Sequence, residues 1–265
     1  MIGLACSTLS CDGFVDSHFD RTFEVAPQVG FKYIEFNCWF PSDLTPQGIR
    51  RARQRCQAAG LLPAAVYGSA FGAASTFDLG KDVGHKLRMI EAAVELGCRR
   101  IVATGAGRGQ AGGLDEIVTV LEQITPVAEE NGILICLENH ANNNLETIED
   151  YRRIFAAVPS PNVGLCIDTG HFSGSGISLD DVVACLGDRV NHIHVKEAAA
   201  MGLPKFVPFG QGVTDNNRLI EQMIARGYSG FVSVELAIED KTNLVHDLKA
   251  PYALFGHYET SDDQA

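Results

Sequence analysis

Short apolar runs rich in β-branched residues alternate with longer amphipathic stretches along the whole chain, and the pattern repeats eight times. The strand-like runs fall at 3–8, 33–37, 62–67, 100–104, 133–138, 163–168, 190–196 and 231–236. Helical periodicity covers 17–29, 45–59, 81–96, 114–131, 146–157, 179–186 and 215–226, with a weaker pattern at 241–255. Punctuation residues agree. Thr45-Pro46 offers a cap followed by a first-turn proline, and Gly60, Gly132 and Gly227 close helices just before strands. Strand, helix, strand is the repeating unit, and each crossover is expected to be right-handed. Eight such units within 265 residues fit one closed (β/α)₈ barrel, α/β in class, better than an open doubly wound sheet. No GxGxxG follows an early strand, which removes the main argument for a dinucleotide fold, and 105–109 (Gly-Ala-Gly-Arg-Gly) reads as a loop. One catalytic domain over 1–258 is expected, followed by a flexible acidic tail at 259–265.

Charge and cysteine usage exclude several classes. The formal net charge is −12 with no basic cluster, so a nucleic-acid backbone would be repelled. No run approaches the roughly 18–20 apolar residues that span a bilayer, and the start Met1-Ile2-Gly3-Leu4-Ala5-Cys6 lacks the basic region of a signal peptide. The eight cysteines show no CxxC spacing, and several lie in apolar strand runs, so buried reduced thiols in a cytoplasmic protein are expected. No membrane or nucleic-acid partner is expected.

In a barrel of this kind the C-terminal ends of the strands converge on one face, where the active site is built. The fifth run ends Leu137-Glu138-Asn139-His140, the sixth Asp168-Thr169-Gly170-His171 and the eighth Val234-Glu235-Leu236. The seventh carries His192-Ile193-His194-Val195-Lys196-Glu197. Period-two alternation puts Cys136 and Glu138 on one side, as it does Cys166 and Asp168, or Ser233 and Glu235. Glu138, Asp168, His194 and Glu235 therefore point inward from four consecutive strands. Three carboxylates buried together are very costly unless a cation neutralises them. One divalent metal is the simplest resolution. Three acids and an imidazole suit Mn²⁺ best, with Mg²⁺, Co²⁺, Zn²⁺ and Fe²⁺ as alternatives.

These motifs, with Gly210-Gln211-Gly212-Val213-Thr214-Asp215, resemble the xylose-isomerase-like barrel superfamily of sugar phosphate isomerases and epimerases, over nearly the whole chain. Ketose 3-epimerases, hydroxypyruvate isomerases and inosose dehydratases belong to it. The resemblance implies that Glu138, Asp168, His194 and Glu235 bind the metal and that His171 lies beside substrate and metal. It also implies that Glu138 and Glu235 carry protons, giving isomerisation or epimerisation of a keto-sugar or related polyol through a metal-stabilised enediolate. A homodimer or tetramer is implied as well. One departure matters: where ketose 3-epimerases carry an Arg past the ligand His, this chain has Lys196-Glu197-Ala198-Ala199-Ala200. In that respect it looks more like the inosose dehydratase branch, so a carbohydrate lyase using the same metal stands as the alternative.

Other candidates come from position alone. His140 and His171 follow ligands by two or three residues and are expected on loops above the metal, His140 as a general acid or base or else a surface group. Lys196 shares its strand side with His194, so it can hold a substrate oxygen or else pair with Glu197 or another loop acid. His192 lies deeper in the barrel and reads as structural or as a support behind the ligands. Trp39, near Phe36 and Phe40, offers an aromatic wall for a sugar ring, with core packing as its alternative. An apurinic endonuclease would need further His ligands, yet the third and fourth runs end Tyr67-Gly68-Ser69 and Ala103-Thr104-Gly105 without one. A scaffold protein would not need four inward ligands. A small carbohydrate is the expected partner.

Overall fold

A computed structural model describes residues 2–14, 16–72, 78–111, 113–236 and 240–260. Its strands are β1 (Gly3–Ser7), β2 (Tyr33–Cys38), β3 (Leu62–Gly68), β4 (Arg100–Thr104), β5 (Leu134–Glu138), β6 (Val163–Asp168), β7 (Val190–Val195), β8 (Ala198–Ala200), β9 (Leu203–Phe206) and β10 (Phe231–Val234). Its helices are α1 (Thr8–Asp12), α2 (Asp20–Val29), α3 (Pro46–Ala59), α4 (Leu79–Leu96), α5 (Leu114–Glu130), α6 (Ile148–Ala157), α7 (Thr169–Gly174), α8 (Leu179–Leu186), α9 (Asn216–Ala225) and α10 (Leu244–Phe255). Eight strands close a parallel barrel in the order β1-β10-β7-β6-β5-β4-β3-β2, and β8 and β9 form a separate antiparallel hairpin.

Local chemistry explains the helix bounds. Thr45 caps α3 by accepting from Gly48 N at 3.2 Å, with Pro46 at the first helical position and Gly60 ending it at φ 66°. Thr147 and Asp150 form a capping box on α6, and Ser178 caps α8. In α5 the buried residues Ile117, Val120, Leu121, Ile124 and Ala128 recur at helical spacing, so one stripe faces the barrel wall and the other faces water.

Strand alternation divides the core in two. Residues such as Leu4, Cys6, Ile34, Phe36, Ile101, Ile135, Leu165, Ile193 and Val232 face outward and pack under the helices. A smaller interior cluster of Ala65, Tyr67, Val102, Cys136 and Cys166 fills the barrel itself, with Leu9, Trp39 and Leu134 against it. The inward polar residues, which include His192, His194, Ser233 and Glu35, belong to the same interior layers.

Five expectations need correction. The last strand stops at Val234 and the seventh at Val195. There the backbone leaves the ladder for side-chain hydroxyls: Leu236 N donates to Ser10 Oγ at 2.9 Å and Lys196 N to Thr169 Oγ1 at 3.0 Å. Glu259 and Thr260, assigned to the loose tail, are tied down. Thr260 exchanges hydrogen bonds with Ile2, and Glu259 lies 3.7 Å from Lys32. Residues 261–265 of that tail lie outside the described residues. His171 sits in the first turn of α7 rather than in a loop. Seven cysteines are buried as expected, but Cys185 is exposed on the outer face of α8, where Arg152 donates to its sulfur at 3.2 Å.

Candidate metal centre

The C-terminal mouth of the barrel gathers the four predicted ligands. One donor atom from each of Glu138, Asp168, His194 and Glu235 lies within 4.8 Å of the other three, and all four residues are at most 3% exposed. Register brings them together: Asp168 and Ser233 both stand opposite His194 in the ladders, and Glu138 stands opposite Thr104 and Cys166. Strand ends are clamped there. Asp168 N donates to Asn139 Oδ1 at 2.7 Å while Asn139 Nδ2 donates back to Asp168 O at 3.0 Å. Asp168 also caps α7, accepting from His171 N at 2.8 Å, so the Asp-Thr-Gly-His motif is a strand end and a helix start in one.

His194 Nδ1 lies 2.7 Å from Glu138 Oε1 and 3.4 Å from Glu235 Oε1. Lys196 Nζ lies 2.6 Å from Glu235 Oε2 and 2.9 Å from Asp168 Oδ2. The lysine therefore pairs with the cluster, not with Glu197. Glu197 instead accepts from Thr214 N at 3.1 Å and Gly210 N at 3.3 Å, which organises the Gly210–Asp215 loop. Gly170 permits the lysine's position, because a Cβ there would meet the Lys196 stem at 2.9 Å.

The charge balance leaves room for an ion. Three acids face one lysine, and Glu138 Oε2 and Glu235 Oε1 are buried without a hydrogen-bond partner. Orphaned carboxylate oxygens of this kind are costly unless a cation takes them. Burial lifts the Glu235 carboxyl, Lys196 and His194 pull it back, and Glu138 and Asp168 push it up again, leaving it above the usual range. Burial would also lift Asp168, but Lys196, His171 and His194 hold it well below. For Lys196, burial is outweighed by Asp168, Glu235 and Glu138, and the ammonium stays charged. Burial disfavours a charged His194, yet Cys166, Glu35, Glu235 and Glu138 raise it well above the ordinary imidazole value. A divalent ion reverses that last preference by competing with the proton for the ring nitrogen. The donor set fits such an ion.

A cavity of about 430 Å³ opens above the cluster, lined by Leu9, Phe14, His140, Ala141, Asn142, His171, Lys196, Pro204, Phe206, Glu235 and Leu236. The rings of His140 and His171 stack at 3.7 Å between centroids, and Phe206 on the β8–β9 hairpin meets His171 edge-on at 4.6 Å. Hydrogen bonds set which nitrogen of each ring donates. His140 Nδ1 faces the Ala141 carbonyl at 2.9 Å, which can only accept, so its Nε2 is left as a base. Ala141 N donates to His171 Nδ1 at 3.4 Å, so His171 carries its proton on Nε2. Burial, Lys196 and His140 keep that ring well below its ordinary value, against the pull of Asp168.

Trp39 stands at the edge of this site. It lines the neighbouring cavity with Phe40, Ser69 and His85, and packs edge-on against Phe14 at 5.2 Å and beside Tyr67 at 5.8 Å. Phe14 takes the aromatic position at the mouth, and the sequence pattern did not single it out. Glu35 was also missed. It lies on β2, fully buried, with Oε2 at 2.6 Å from His192 Nε2 and 2.9 Å from His194 Nε2. The available signal was an acid at an inward position of Tyr33-Ile34-Glu35-Phe36. Tyr67 joins it, edge-on to His194 at 5.8 Å, its phenol pushed well up by burial, Glu138 and Glu235.

Barrel and cluster together define a (β/α)₈ protein whose polar centre has the composition that divalent cations take. The chain belongs to the xylose isomerase-like TIM barrel family, whose model matches residues 23–252. Among its relatives are an inosose isomerase of Bacillus subtilis (strain 168), 28% identical over 160 residues, and an inosose dehydratase of Geobacillus thermodenitrificans (strain NG80-2), 26% identical over 137. These matches cover 56% and 46% of this chain and 57% and 46% of those proteins, so the chain spans about half the length of the curated relatives it matches. The fold superimposes on the IOLI protein with a zinc atom (TM-score 0.77, 22% identity, 98% of this chain and 100% of that one). It also superimposes on the E. coli 3-keto-D-glucoside 4-epimerase YcjR (TM-score 0.76, 19% identity, 96% and 100%).

Proposed function

We propose that the protein is a divalent-metal-dependent isomerase or epimerase of a keto-sugar or related polyol. The observation that carries this reading is the pair of orphaned carboxylate oxygens, Glu138 Oε2 and Glu235 Oε1, buried beside His194 and Asp168 at the mouth of the barrel. Glu138, Asp168, His194 and Glu235 would hold the ion, with Mn²⁺ the expected occupant. When bound, the ion supplies Lewis acidity toward a substrate carbonyl and its neighbouring hydroxyl, which acidifies the adjacent C–H.

The chain's own groups then divide the work. Glu235, which lines the cavity above the cluster, takes the proton from carbon. Glu138 delivers a second proton to the other carbon or face, and exchange with solvent restores both carboxyls. Lys196, held charged between Asp168 and Glu235, donates a hydrogen bond to a substrate oxygen. His171 donates from Nε2 to a second oxygen, and His140 shuttles a proton through Nε2. Leu9, Phe14, Pro204 and Phe206 exclude water and cover the apolar face of the ring. Among the described residues that line the cavity Lys196 is the sole Lys or Arg, and it is engaged by two acids, which favours a neutral sugar, cyclitol or keto-glycoside over a phosphorylated one.

Elimination of water is the second reading, and the stacked His140–His171 pair favours it. A β-hydroxyl leaves only if an acid protonates it, and His140 Nε2, a base outside the ligand set, can take the proton from carbon and hand it to the leaving hydroxyl. One experiment tests both. The Mn²⁺-loaded protein is incubated with ketoses, inososes and 3-keto-glycosides in D₂O. Deuterium at carbon with no change of formula supports isomerisation or epimerisation, and loss of one water supports the lyase. If no substrate exchanges a proton, both readings fail.

A further inference from the structure

Below the cluster, on the barrel axis, one carboxylate oxygen collects three donors. Glu35 Oε2 lies 2.6 Å from His192 Nε2, 2.9 Å from His194 Nε2 and 3.1 Å from Ser233 Oγ. All four side chains are fully buried. β2 and β7 are not neighbours in the barrel; β1 and β10 stand between them. The glutamate can reach across because the inward residues at that level are small: Ser233 on β10, and by alternation Ala5, its ladder partner, on β1. An acid has thus been placed in the barrel interior, where its desolvation must be offset by these donors.

Glu35, His192 and His194 also have donor atoms within 4.8 Å of one another, the composition of a small metal site. A second ion does not fit the chemistry. His194 Nε2 would have to bind it while Nδ1 faces Glu138 and Glu235, which requires an imidazole stripped of both protons. With a proton on Nε2 each of the three contacts at Glu35 Oε2 is a donor–acceptor pair, because the carboxylate is acceptor-only and its three neighbours can all donate. Glu35 Oε1 and His192 Nδ1 keep no partner among the described residues.

We propose that Glu35 is the positioning residue of the metal centre: it holds the proton of His194 on Nε2 and fixes the ring plane, so that Nδ1 presents a lone pair to the ion. This rests on the metal reading given above. A carboxylate behind a ligating imidazole raises ligand basicity and removes rotational freedom, and loss of such a partner costs about 10–100-fold in metal affinity. Glu35 touches no substrate. Ser233 and His192 support it, since Ser233 Oγ lies 3.0 Å from His192 Nε2 as well as against Glu35.

The test reads metal binding, not turnover. Apo wild type, Glu35→Gln and Ser233→Ala are titrated with Mn²⁺ by calorimetry and with Co²⁺ by its visible d–d bands, and each apo protein is melted to verify folding. Glu35→Gln should bind 10–100-fold more weakly with altered Co²⁺ bands, while Ser233→Ala, which removes a donor to the same oxygen without touching His194, stays within about threefold. In parallel, ¹⁵N-histidine NMR of the Zn²⁺-loaded wild type should show one slowly exchanging Nε2–H for His194 and a metal-shifted Nδ1. That measurement decides the matter even if Glu35→Gln does not fold. Equal affinity in Glu35→Gln, an equal loss in Ser233→Ala, two ions per chain, or an Nδ1–H tautomer would each overturn the role of Glu35. Absence of metal binding by the wild type would instead overturn the metal reading itself.

Discussion

Replacing Lys196 by Met keeps the aliphatic stem that packs on Gly170 and removes only the ammonium. In the metal-free protein that ammonium is the strongest compensation for the acids, at 2.6 Å from Glu235 and 2.9 Å from Asp168 with 9% exposure. Breaking a buried pair by deleting one partner costs about 3–5 kcal/mol. At about 2–4 °C per kcal/mol for a chain of this size, the melting temperature should fall by about 6–20 °C. A divalent ion brings two positive charges to the same carboxylates, so the metal-saturated variant should lose less than half as much. By linkage the variant then binds metal more tightly, by about tenfold for every 1.4 kcal/mol of that difference. The sign with pH is also fixed. The Glu235 carboxyl is already raised in the folded state, and losing Lys196 raises it further. The folded variant thus binds more protons than the unfolded chain, and the deficit of the apo form shrinks as pH falls. Differential scanning calorimetry with chelator and with saturating Mn²⁺ measures all three. Apo forms of wild type and variant melting within about 2 °C of each other, or a metal-induced rise no larger in the variant, would refute the charge argument.

Two further predictions use groups away from the ligand set. His140→Gln should lower kcat by about 10²–10⁴ while leaving Mn²⁺ affinity within about threefold, because the lost Nε2 serves proton transfer and not ligation; calorimetry and steady-state kinetics on one preparation separate the two. His85 is held by burial, reinforced by Lys86, at about 4, so the folded chain keeps it neutral where the unfolded chain protonates it near 6.5. Between pH 7 and pH 5 the wild type should therefore lose about 1–2 kcal/mol that His85→Gln does not lose, read as the difference between two urea-denaturation series.

Most of the barrel was legible because parallel strands buried on both faces must be continuous apolar runs, and two of them, β4 and β6, match the predicted bounds. The ligands were legible for a related reason. An acid closing such a run has nowhere to point except the mouth of the barrel. Where the pattern failed, contacts distant in sequence had taken over. Ser10 and Thr169 hydroxyls end two strands early, and neither pairing is local. The β8–β9 hairpin was hidden because its residues are mostly half-buried or exposed, so no apolar alternation marks it; only Gly202 in its turn, at φ 74°, hints at it. Trp39 was read as an aromatic wall from its place after the second strand, with core packing as the alternative; Phe14 and Phe206, which line the cavity, carried no such signal.

Glu35 shows why the interior of a barrel resists reading from one strand at a time. Inside the staves, side chains from non-adjacent strands meet, and the volume available to each depends on what the others leave. Ala65, Val102, Cys136 and Cys166 are small or medium residues on consecutive strands β3 to β6. Across from them β7 carries two imidazoles and β2 a glutamate, all fully buried. Packing at interior density requires that these sizes sum to a constant. Enlarging Cys136 or Cys166 would thus push on His192 and His194 without touching a ligand bond directly. The cysteines that first read as inert filling set the space in which the Glu35–His194 hydrogen bond forms, and so the direction in which His194 presents Nδ1.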